Sequence, residues 1–368
     1  MPKTDSATTK ELANLDCLRA FAVLSVLICH LGRMLCSLEG LTRNQELWWG
    51  TLGRIGVLAF FVHTCLVLMF SIERLARSPK RVTLRFYIRR TFRIYPLSIL
   101  CVVGTILLRI PDRAIFNLVF QQPSKGLILA NLLLVQNLVG HYSISGPLWS
   151  LPYEVQMYVV LPLCYFAFRC KPRGLMYLGC TWIAFACIGV AIKLTTGHAN
   201  MAGFVPCFLS GVVAYLLAGR VRPFLSAAAW PLFVTFWVGG LTILMAVYVP
   251  IEMELGWIGC LVLGISIYAF RDSRIAAWNK VTHNVAKYSY GIYLGHSAAL
   301  WLVFSYWRIG NPVVGTALWL TLTGIIATGS YHLLEEPLIE VGRRLSSRLE
   351  RSRESEALSN PERVAVQS

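Results

Sequence analysis

Long blocks of apolar residues, separated by short polar segments, dominate the chain. Ten of these blocks have about the 17–25 residues that a membrane-spanning helix needs, three being slightly short. They cover residues 15–36, 53–72, 94–109, 149–168, 174–194, 201–218, 230–249, 255–270, 287–307 and 312–333. An eleventh block, 126–139, would form about 21 Å of helix, which is marginal for a hydrocarbon core of about 30 Å. The pattern predicts an all-α polytopic integral membrane protein, with about ten transmembrane helices and one short re-entrant or partial helix.

The composition agrees with this fold class and excludes an ordinary soluble enzyme. Of the 368 residues, 56% are hydrophobic and only 14% are charged, against roughly 25% charged residues in a soluble domain. The eleven cysteines lie mostly inside the apolar blocks, where they act as small hydrophobic residues rather than as a disulfide framework. The first block carries Asp16 and Arg19, which makes it a poor signal peptide.

Basic residues outnumber acidic ones, and their distribution predicts an orientation. The chain has 34 Lys and Arg against 18 Asp and Glu, a formal net charge of +16. This excess is typical of cytoplasmic loops near anionic lipids or ligands, and we expect no nucleic acid as a partner. The densest basic segment, predicted as a loop, contains Arg74, Arg77, Lys80, Arg81, Arg85, Arg89, Arg90 and Arg93.

The positive-inside rule places this loop in the cytoplasm. Two predicted spans separate the loop from the N-terminus, so the N-terminus should lie in the cytoplasm as well. If residues 126–139 do not span, the later basic clusters also lie inside; if they span, those clusters lie outside. The favoured arrangement has ten spans, both termini in the cytoplasm, and residues 126–139 on the outer side. We predict an N-terminal tail over 1–14, a transmembrane domain over 15–345, and a polar C-terminal tail over 346–368.

Two ionisable residues of the first span are candidates for function. Arg19 and His30 are eleven residues apart, which returns them to within about 20° of one helix face and separates them by about 16 Å. Arg19 should lie near the cytoplasmic end and His30 in the outer half. Ionisable groups within a membrane are costly and often functional. The alternative is that Arg19 snorkels to the headgroups and His30 hydrogen-bonds a neighbouring helix.

A glutamate in the fourth span is the candidate partner of His30. That span enters from the outside, so Glu154 should lie roughly 8 Å below the outer surface, at a depth similar to that of His30. A buried carboxylate can orient an imidazole and stabilise its protonated form. The alternative is a hydrogen bond from Tyr158 to Glu154, or a bond to backbone freed by Pro152.

Arg90 and Arg93, at a spacing of three, share a helix face where the third span begins, and a guanidinium binds phosphate oxygens bidentately. Simple anchoring is the alternative for these two and is preferred for the other arginines of the segment. Near the end of the last span, Glu335 and Glu336 are placed to pair with the basic loops. The histidines and acids show no metal-ligand spacing, and the chain has no Walker loop and no GxGxxG motif.

Several of these segments, in this order, resemble the acyltransferase-3 family of membrane O-acyltransferases over about residues 15–345. The resemblance rests on LDxLRAxA with His30, GxxGVxxFFV from Gly53, YxRRxxRIxP from Tyr87, WSLxxExxxY from Trp149, SYxxYLxH from Ser289, and ExP from Glu335. The chain departs from the family where His63-Thr64-Cys65 replaces a segment with a glycine. That glycine allows close helix packing, so the second span is expected to pack differently.

The resemblance implies transfer of an acyl group, usually acetyl, from cytoplasmic acyl-CoA to a hydroxyl of an extracytoplasmic glycan, lipid-linked saccharide or small acceptor. It makes Arg19 and His30 essential active-site residues and places Glu154 in the catalytic surroundings. Residues expected to contact acyl-CoA are Arg89, Arg90 and Arg93. Structural or accessory candidates are Asp16, Ser150, Tyr158 and His296. Acyl-CoA is then a co-substrate, with no bound cofactor or metal, and the expected location is a bacterial inner membrane.

Two other classes of protein share some of these features. A transporter or flippase for a lipid-linked or small anionic substrate also uses intramembrane His, Arg and Glu, but it favours paired broken helices in two related halves, and the sequence has no such symmetry. A polyprenyl-phosphate sugar transferase would need an acidic cluster for a metal-bound diphosphate, and the sequence has no such cluster.

His30 is open to two roles, general base on the acceptor hydroxyl or transient acyl carrier.

Overall fold

The computed structural model describes residues 13–38, 40, 42–78, 81–111, 119–169, 171, 173–196 and 201–359. Lys3, Lys10 and Lys80 lie outside these residues, as does the end of the predicted C-terminal tail, 360–368. Within the described part the regular structure is helical, and an isolated bridge joins Leu225 to Phe270. The α-helices are α1 (Ala13–Leu38), α2 (Arg43–Ala76), α3 (Val82–Leu107), α4 (Lys125–Leu132), α5 (Leu151–Phe168), α6 (Gly174–Thr196), α7 (Met201–Leu217), α8 (Ala229–Val247), α9 (Glu252–Ser266), α10 (Ala276–Leu300), α11 (Pro312–Ser330) and α12 (Glu336–Ser359).

The predicted all-α polytopic membrane fold is confirmed. Eight helical segments of the described residues are long and apolar enough to cross a membrane, and they contain α1, α2, α3, α5, α6, α8, α9 and α11. α7 is apolar but has only 17 residues. α10 is long enough, but polar residues in its first half, such as Lys280 and Lys287, lower its hydropathy. These ten helices correspond to the ten predicted apolar blocks.

The segment predicted as a basic loop is mostly helical, so that prediction is wrong. α2 continues through Ala76 and α3 begins at Val82, which leaves only a short connection. The first turns of α3 are stabilised by α12: Arg85 pairs with Glu350 at 2.6 Å, and Arg89 donates to Ser346 at 3.0 Å. Arg85 is buried in this contact, and Arg89, Arg90 and Arg93 are half-buried. Packing against a distant helix therefore supports α3, which the charge density of the segment alone does not reveal.

α12 continues directly from the last span. A π-helical segment, Tyr331–Glu335, joins α11 to α12 without a break. Ser346, at the predicted start of the C-terminal tail, is fully buried against α3. The helix therefore runs through the predicted domain boundary.

The block 126–139 forms only a partial helix. α4 has eight residues, or about 12 Å of helix, which is too short to cross a bilayer. The buried side chain of Asn131 holds the chain that returns from it, because its amide donates to the carbonyls of Leu127 and Tyr142 and its oxygen accepts from Ile144 N–H. A 3₁₀ turn, Gly146–Trp149, then leads into α5.

α2 is the central helix, in contact with α1, α3, α5, α7, α8 and α9. Glycines bring two of these neighbours into backbone contact. A Cβ added at Gly56 would lie 2.6 Å from the carbonyl oxygen of Ala22 on α1, and one at Gly211 of α7 would lie 2.3 Å from that of Val62. The same added Cβ at Gly211 would lie 2.7 Å from the Cβ of Cys65. At Cys65, where α2 has no glycine, the glycine that permits close packing is therefore on α7.

Candidate active site

Two cavities lie within the helices and share part of their walls. The first, here called the arginine cavity, has a volume of about 570 Å³ and is lined by six arginines: Arg19, Arg74, Arg89, Arg90, Arg93 and Arg343. The second, the histidine cavity, has a volume of about 590 Å³ and contains His30 and His296. Val57 and Tyr293 line both cavities.

The cavities follow one another along the helix axes. On α1, Arg19 lines the arginine cavity and His30 the histidine cavity; on α10, Ser289 and His296 are divided in the same way. α2 runs in the opposite direction, from Arg54 in the histidine cavity to Arg74 in the arginine cavity. The predicted helix face of Arg19 and His30 therefore extends from one cavity into the other.

The arginine cavity is strongly basic. Arg19 donates through Nε to Ser289 Oγ at 2.6 Å. Arg90 packs over the ring of Phe86, 5.9 Å from its centroid, and its buried Nε finds no hydrogen-bond acceptor in the described part of the chain. Among the described residues that line it, two are acidic, Glu154 and Glu336, against six arginines, so the cavity suits an anion.

Glu154 lies in the arginine cavity, so its predicted position beside His30 is wrong. Its carboxylate accepts a hydrogen bond from Tyr158, the alternative considered from the sequence. The predicted depth of Glu154 assumes that the fourth span begins at the outer surface of the membrane. In the structure, the turn before α5 is already inside the protein, with Pro147 and Leu148 buried. Glu154 follows this turn and therefore lies beyond the shared wall, in the arginine cavity.

The ring that faces His30 belongs instead to His296. The two ring centroids are 4.7 Å apart, in an edge-to-face arrangement. His30 Nδ1 lies 2.9 Å from the carbonyl oxygen of Val26, and His296 Nδ1 lies 3.1 Å from that of Ile292. A carbonyl can only accept, so each Nδ1 carries the proton, and each neutral ring keeps a basic Nε2. His296 Nε2 is buried without a hydrogen-bond partner among the described residues.

Ion pairs and aromatic rings complete the histidine cavity. Arg33 pairs with Glu46 at 3.0 Å and Arg54 with Glu252 at 2.5 Å. Aromatic rings on its walls are those of Trp149, Tyr153, Phe204, Trp257 and Tyr293. A cavity with aromatic walls and a few fixed polar groups is typical of a site for a small organic ligand.

The other sequence candidates are divided between the site and its surroundings. Ser150 lines the arginine cavity and hydrogen-bonds Tyr293 at 2.8 Å. Asp16 lines neither cavity and lies 2.9 Å from His283 Nδ1. Glu335 is buried with no hydrogen bond to its carboxylate in the described chain, and Glu336 pairs with His332. Glu335 interacts electrostatically with Arg93 of the basic segment and with Arg19, but no salt bridge joins either acid to that segment among the described residues.

Sequence reasoning missed Tyr293 as a wall residue and Arg74 and Arg343 as cavity residues. Arg74 belonged to a segment interpreted as simple anchoring, and Arg343 is remote from it in sequence. Tyr293 and His296 are about one helical turn apart on α10. This spacing indicates that they share a helix face, and both line the histidine cavity. The described residues contain no group of three or more His, Cys, Asp or Glu that could hold a metal ion.

Comparisons with known proteins cover most of the residues that line the two cavities. The family model of an acyltransferase domain, acyltransferase-3, matches residues 12–331, which include every described lining residue except Glu336, Ile339 and Arg343. The O-acetyltransferase OatA of Staphylococcus aureus (strain NCTC 8325 / PS 47) is 26% identical over 368 residues, with 90% of this chain and 58% of the relative covered. The putative O-acetyltransferase SACOL0978 of S. aureus (strain COL) is 26% identical, with the same coverage. The chain spans about 58% of the length of these relatives, and no solved structure matches.

Proposed function

This chain belongs to the acyltransferase-3 family, and from that premise we propose that it is a membrane O-acyltransferase. It moves an acyl group, most simply acetyl, from acyl-CoA to a hydroxyl of a glycan, lipid-linked saccharide or small acceptor. The observation that carries the proposal is the pair of cavities with a common wall, one lined by arginines and the other by two histidines with basic Nε2 atoms.

The arginine cavity is proposed to hold acyl-CoA. Arg74 and Arg343 are exposed at its edge, where they would meet the phosphate groups, and Arg89, Arg90 and Arg93 continue the basic lining inward. Guanidinium groups bind phosphate oxygens through paired, charge-assisted hydrogen bonds. The thioester would then lie near Arg19 and the shared wall. The concentration of arginine on this side supports a cytoplasmic location for it.

The histidine cavity is proposed to receive the acceptor from the opposite face of the membrane. The acceptor hydroxyl gives its proton to His30 Nε2, and its oxygen attacks the thioester carbonyl carbon. The carbon–sulfur bond breaks, and the CoA thiolate takes up a proton. His30 can alternatively carry the acyl group for part of the cycle. Glu154, on the donor side, offsets the positive charge of Arg19, Arg90 and Arg93.

The remaining proposals concern location. An even number of spans, such as the ten proposed, would leave both termini on one side of the membrane. The basic residues near the arginine cavity support the cytoplasm as that side. A bacterial inner membrane is the proposed location, and its lipids are the proposed surroundings. The names of the relatives, which specify O-acetyltransferases, support acetyl as the transferred group.

The direct test supplies radiolabelled acetyl-CoA to membranes that contain the wild type, Arg19→Ala or Arg344→Ala. Arg344 is a suitable control because it is an exposed arginine that bonds only Glu340 in the described chain and lines neither cavity. Label should enter a glycan or lipid fraction with the wild type and the control, but not with Arg19→Ala.

A second measurement separates this function from transport. Detergent-solubilised protein has no sealed compartment, so a transporter or flippase would leave acetyl-CoA intact, whereas an acyltransferase would still consume it in the presence of an acceptor. Folded wild-type protein that consumes no acetyl-CoA in membranes or in detergent would overturn the proposal.

A further inference from the structure

A thin wall separates the arginine cavity from the histidine cavity. It consists of Val57, Ser150 and Tyr293, which are here called the septum. Val57 and Tyr293 line both cavities, and Ser150 lines the arginine cavity directly after Trp149 of the histidine cavity. The hydroxyls of Ser150 and Tyr293 are hydrogen-bonded at 2.8 Å, and both residues are buried. Val57 and Tyr293 thus each border both cavities.

The local structure directs both hydroxyls into this contact. Ser150 lies at the junction between the 3₁₀ turn and α5, yet its side chain makes no capping bond to the helix, so its hydroxyl is available for Tyr293. The Tyr293 ring packs edge-on to Phe60, with centroids 6.0 Å apart, and lies 6.2 Å from the His296 ring. One neutral hydrogen bond is weak enough to break and re-form during a reaction cycle.

We propose that Ser150 and Tyr293 form a gate between the two cavities. The inference rests on the proposed function, in which an acyl group held beside Arg19 must reach an acceptor beside His30. With the gate closed, the thioester is shielded from water and hydroxyls in the histidine cavity. With the gate open, the acyl group passes the septum and transfer can occur. Tyr293 and Ser150 are positioning residues here, since they control access rather than exchange protons.

Loss of the gate predicts a gain of side reaction. Water that reaches the thioester adds its oxygen to the acyl carbon, and the carbon–sulfur bond breaks. The products are the free carboxylic acid and CoA, whose sulfur takes up a proton. A merely structural defect would lower all activities together, whereas an open gate raises hydrolysis relative to transfer.

The first experiment measures access directly and does not depend on catalysis. Cys29 and Cys207 line the histidine cavity, while none of the described cysteines lines the arginine cavity. Sealed vesicles of each orientation are treated with the anionic thiol reagent 2-sulfonatoethyl methanethiosulfonate, whose charge suits passage through the arginine cavity. Modification of Cys29 is then measured by mass spectrometry. In the wild type it should occur from one face only, and in Tyr293→Phe and Ser150→Ala from both.

The second experiment measures acetyl-CoA hydrolysis and acyl transfer in the same membranes. Tyr293→Phe and Ser150→Ala remove the same hydrogen bond, so each should raise the ratio of hydrolysis to transfer at least fivefold, and the double variant should not exceed the larger single effect. Tyr268→Phe is the matched control, because Tyr268 has a buried hydroxyl without a described hydrogen-bond partner and lines neither cavity. It should behave as the wild type.

The two experiments separate the gate from the proposed function. If the wild type consumes no acetyl-CoA, the proposed function fails, and the labelling pattern still decides whether the septum is a barrier. Folded variants with one-sided labelling and an unchanged ratio would overturn the gate. Two-sided labelling of Cys29 in the wild type would do so as well.

Discussion

Arg19 and His30 lie on one face of α1 but line different cavities, because eleven residues of helix carry the second side chain past Val57 and Tyr293. Their separation of about 16 Å along the axis is therefore the distance between two compartments rather than the width of a single site. Under the proposed function, one residue belongs to the donor side and the other to the acceptor side, and substitutions at the two positions should have different consequences.

The first prediction compares His30→Ala with Arg93→Ala. His30→Ala should lower the transfer rate at least about 100-fold through loss of general-base catalysis, with CoA affinity changed less than about twofold. Arg93→Ala should weaken CoA binding by about 1.5–3 kcal/mol, the contribution of a hydrogen bond to a charged group. Titration calorimetry with CoA and single-turnover transfer measure the two effects, with Arg344→Ala as control. Equal losses of affinity in both variants would contradict the division of roles.

The second prediction concerns the contact between α2 and α7. Gly211→Ala should lower the free energy of unfolding by about 1–3 kcal/mol, because the new Cβ would lie 2.3 Å from the Val62 carbonyl and the packed helices must shift. Gly239→Ala is the matched control in α8, where an added Cβ meets nothing within 4 Å; there the change should be neutral or stabilise by up to about 1 kcal/mol. Thermal unfolding in detergent distinguishes them. Equal unfolding temperatures would mean that the helices are not in backbone contact.

The third prediction tests how α12 is held against α3. Glu350→Ala leaves the Arg85 side chain, which is only 4% exposed, without its carboxylate, and should cost about 2 kcal/mol. CoA affinity should fall as well, because α12 carries Arg343. Glu73→Ala is the control: its exposure of 31% is close to the 32% of Glu350, but its partner Arg169 is 47% exposed, so the loss should stay below about 1 kcal/mol. If the two variants unfold alike and bind CoA alike, the buried pair does not position α12.

The fourth prediction addresses the partial helix. Asn131→Ala removes two hydrogen bonds that join α4 to the chain leading to Gly146 and Trp149, and it leaves buried backbone groups unsatisfied at about 1–3 kcal/mol each. Acceptor-side kinetics should change more than CoA affinity, because this chain borders the histidine cavity. Asn137→Ala, which removes side-chain bonds to Gln156 and Tyr153 but none to the backbone of the returning chain, is the comparison. If Asn137→Ala lowers stability more than Asn131→Ala does, Asn131 is not the residue that anchors the partial helix.

The sequence predicts local features of this protein well, because they depend on periodicity. The apolar blocks locate ten helices, and a period of 3.6 places Arg19 and His30 on one face. Contacts between helices are different, since they depend on depth and on distant partners. Glu154 was misplaced because a buried turn precedes α5, and His296 could not be paired with His30 from spacing on separate helices. The helix of the basic segment was missed because its support, Glu350 and Ser346, lies more than 250 residues away.

Val57 belongs to the walls of both cavities, and this has a consequence for how the protein can diverge. A smaller side chain there would enlarge both compartments at once, so a change selected for a bulkier donor would also alter the fit of the acceptor. Independent adaptation requires residues that border one compartment only, such as Trp257 on the histidine side or Ser71 on the arginine side. Relatives that differ in acceptor alone should therefore keep Val57 and Tyr293 and vary at positions like Trp257.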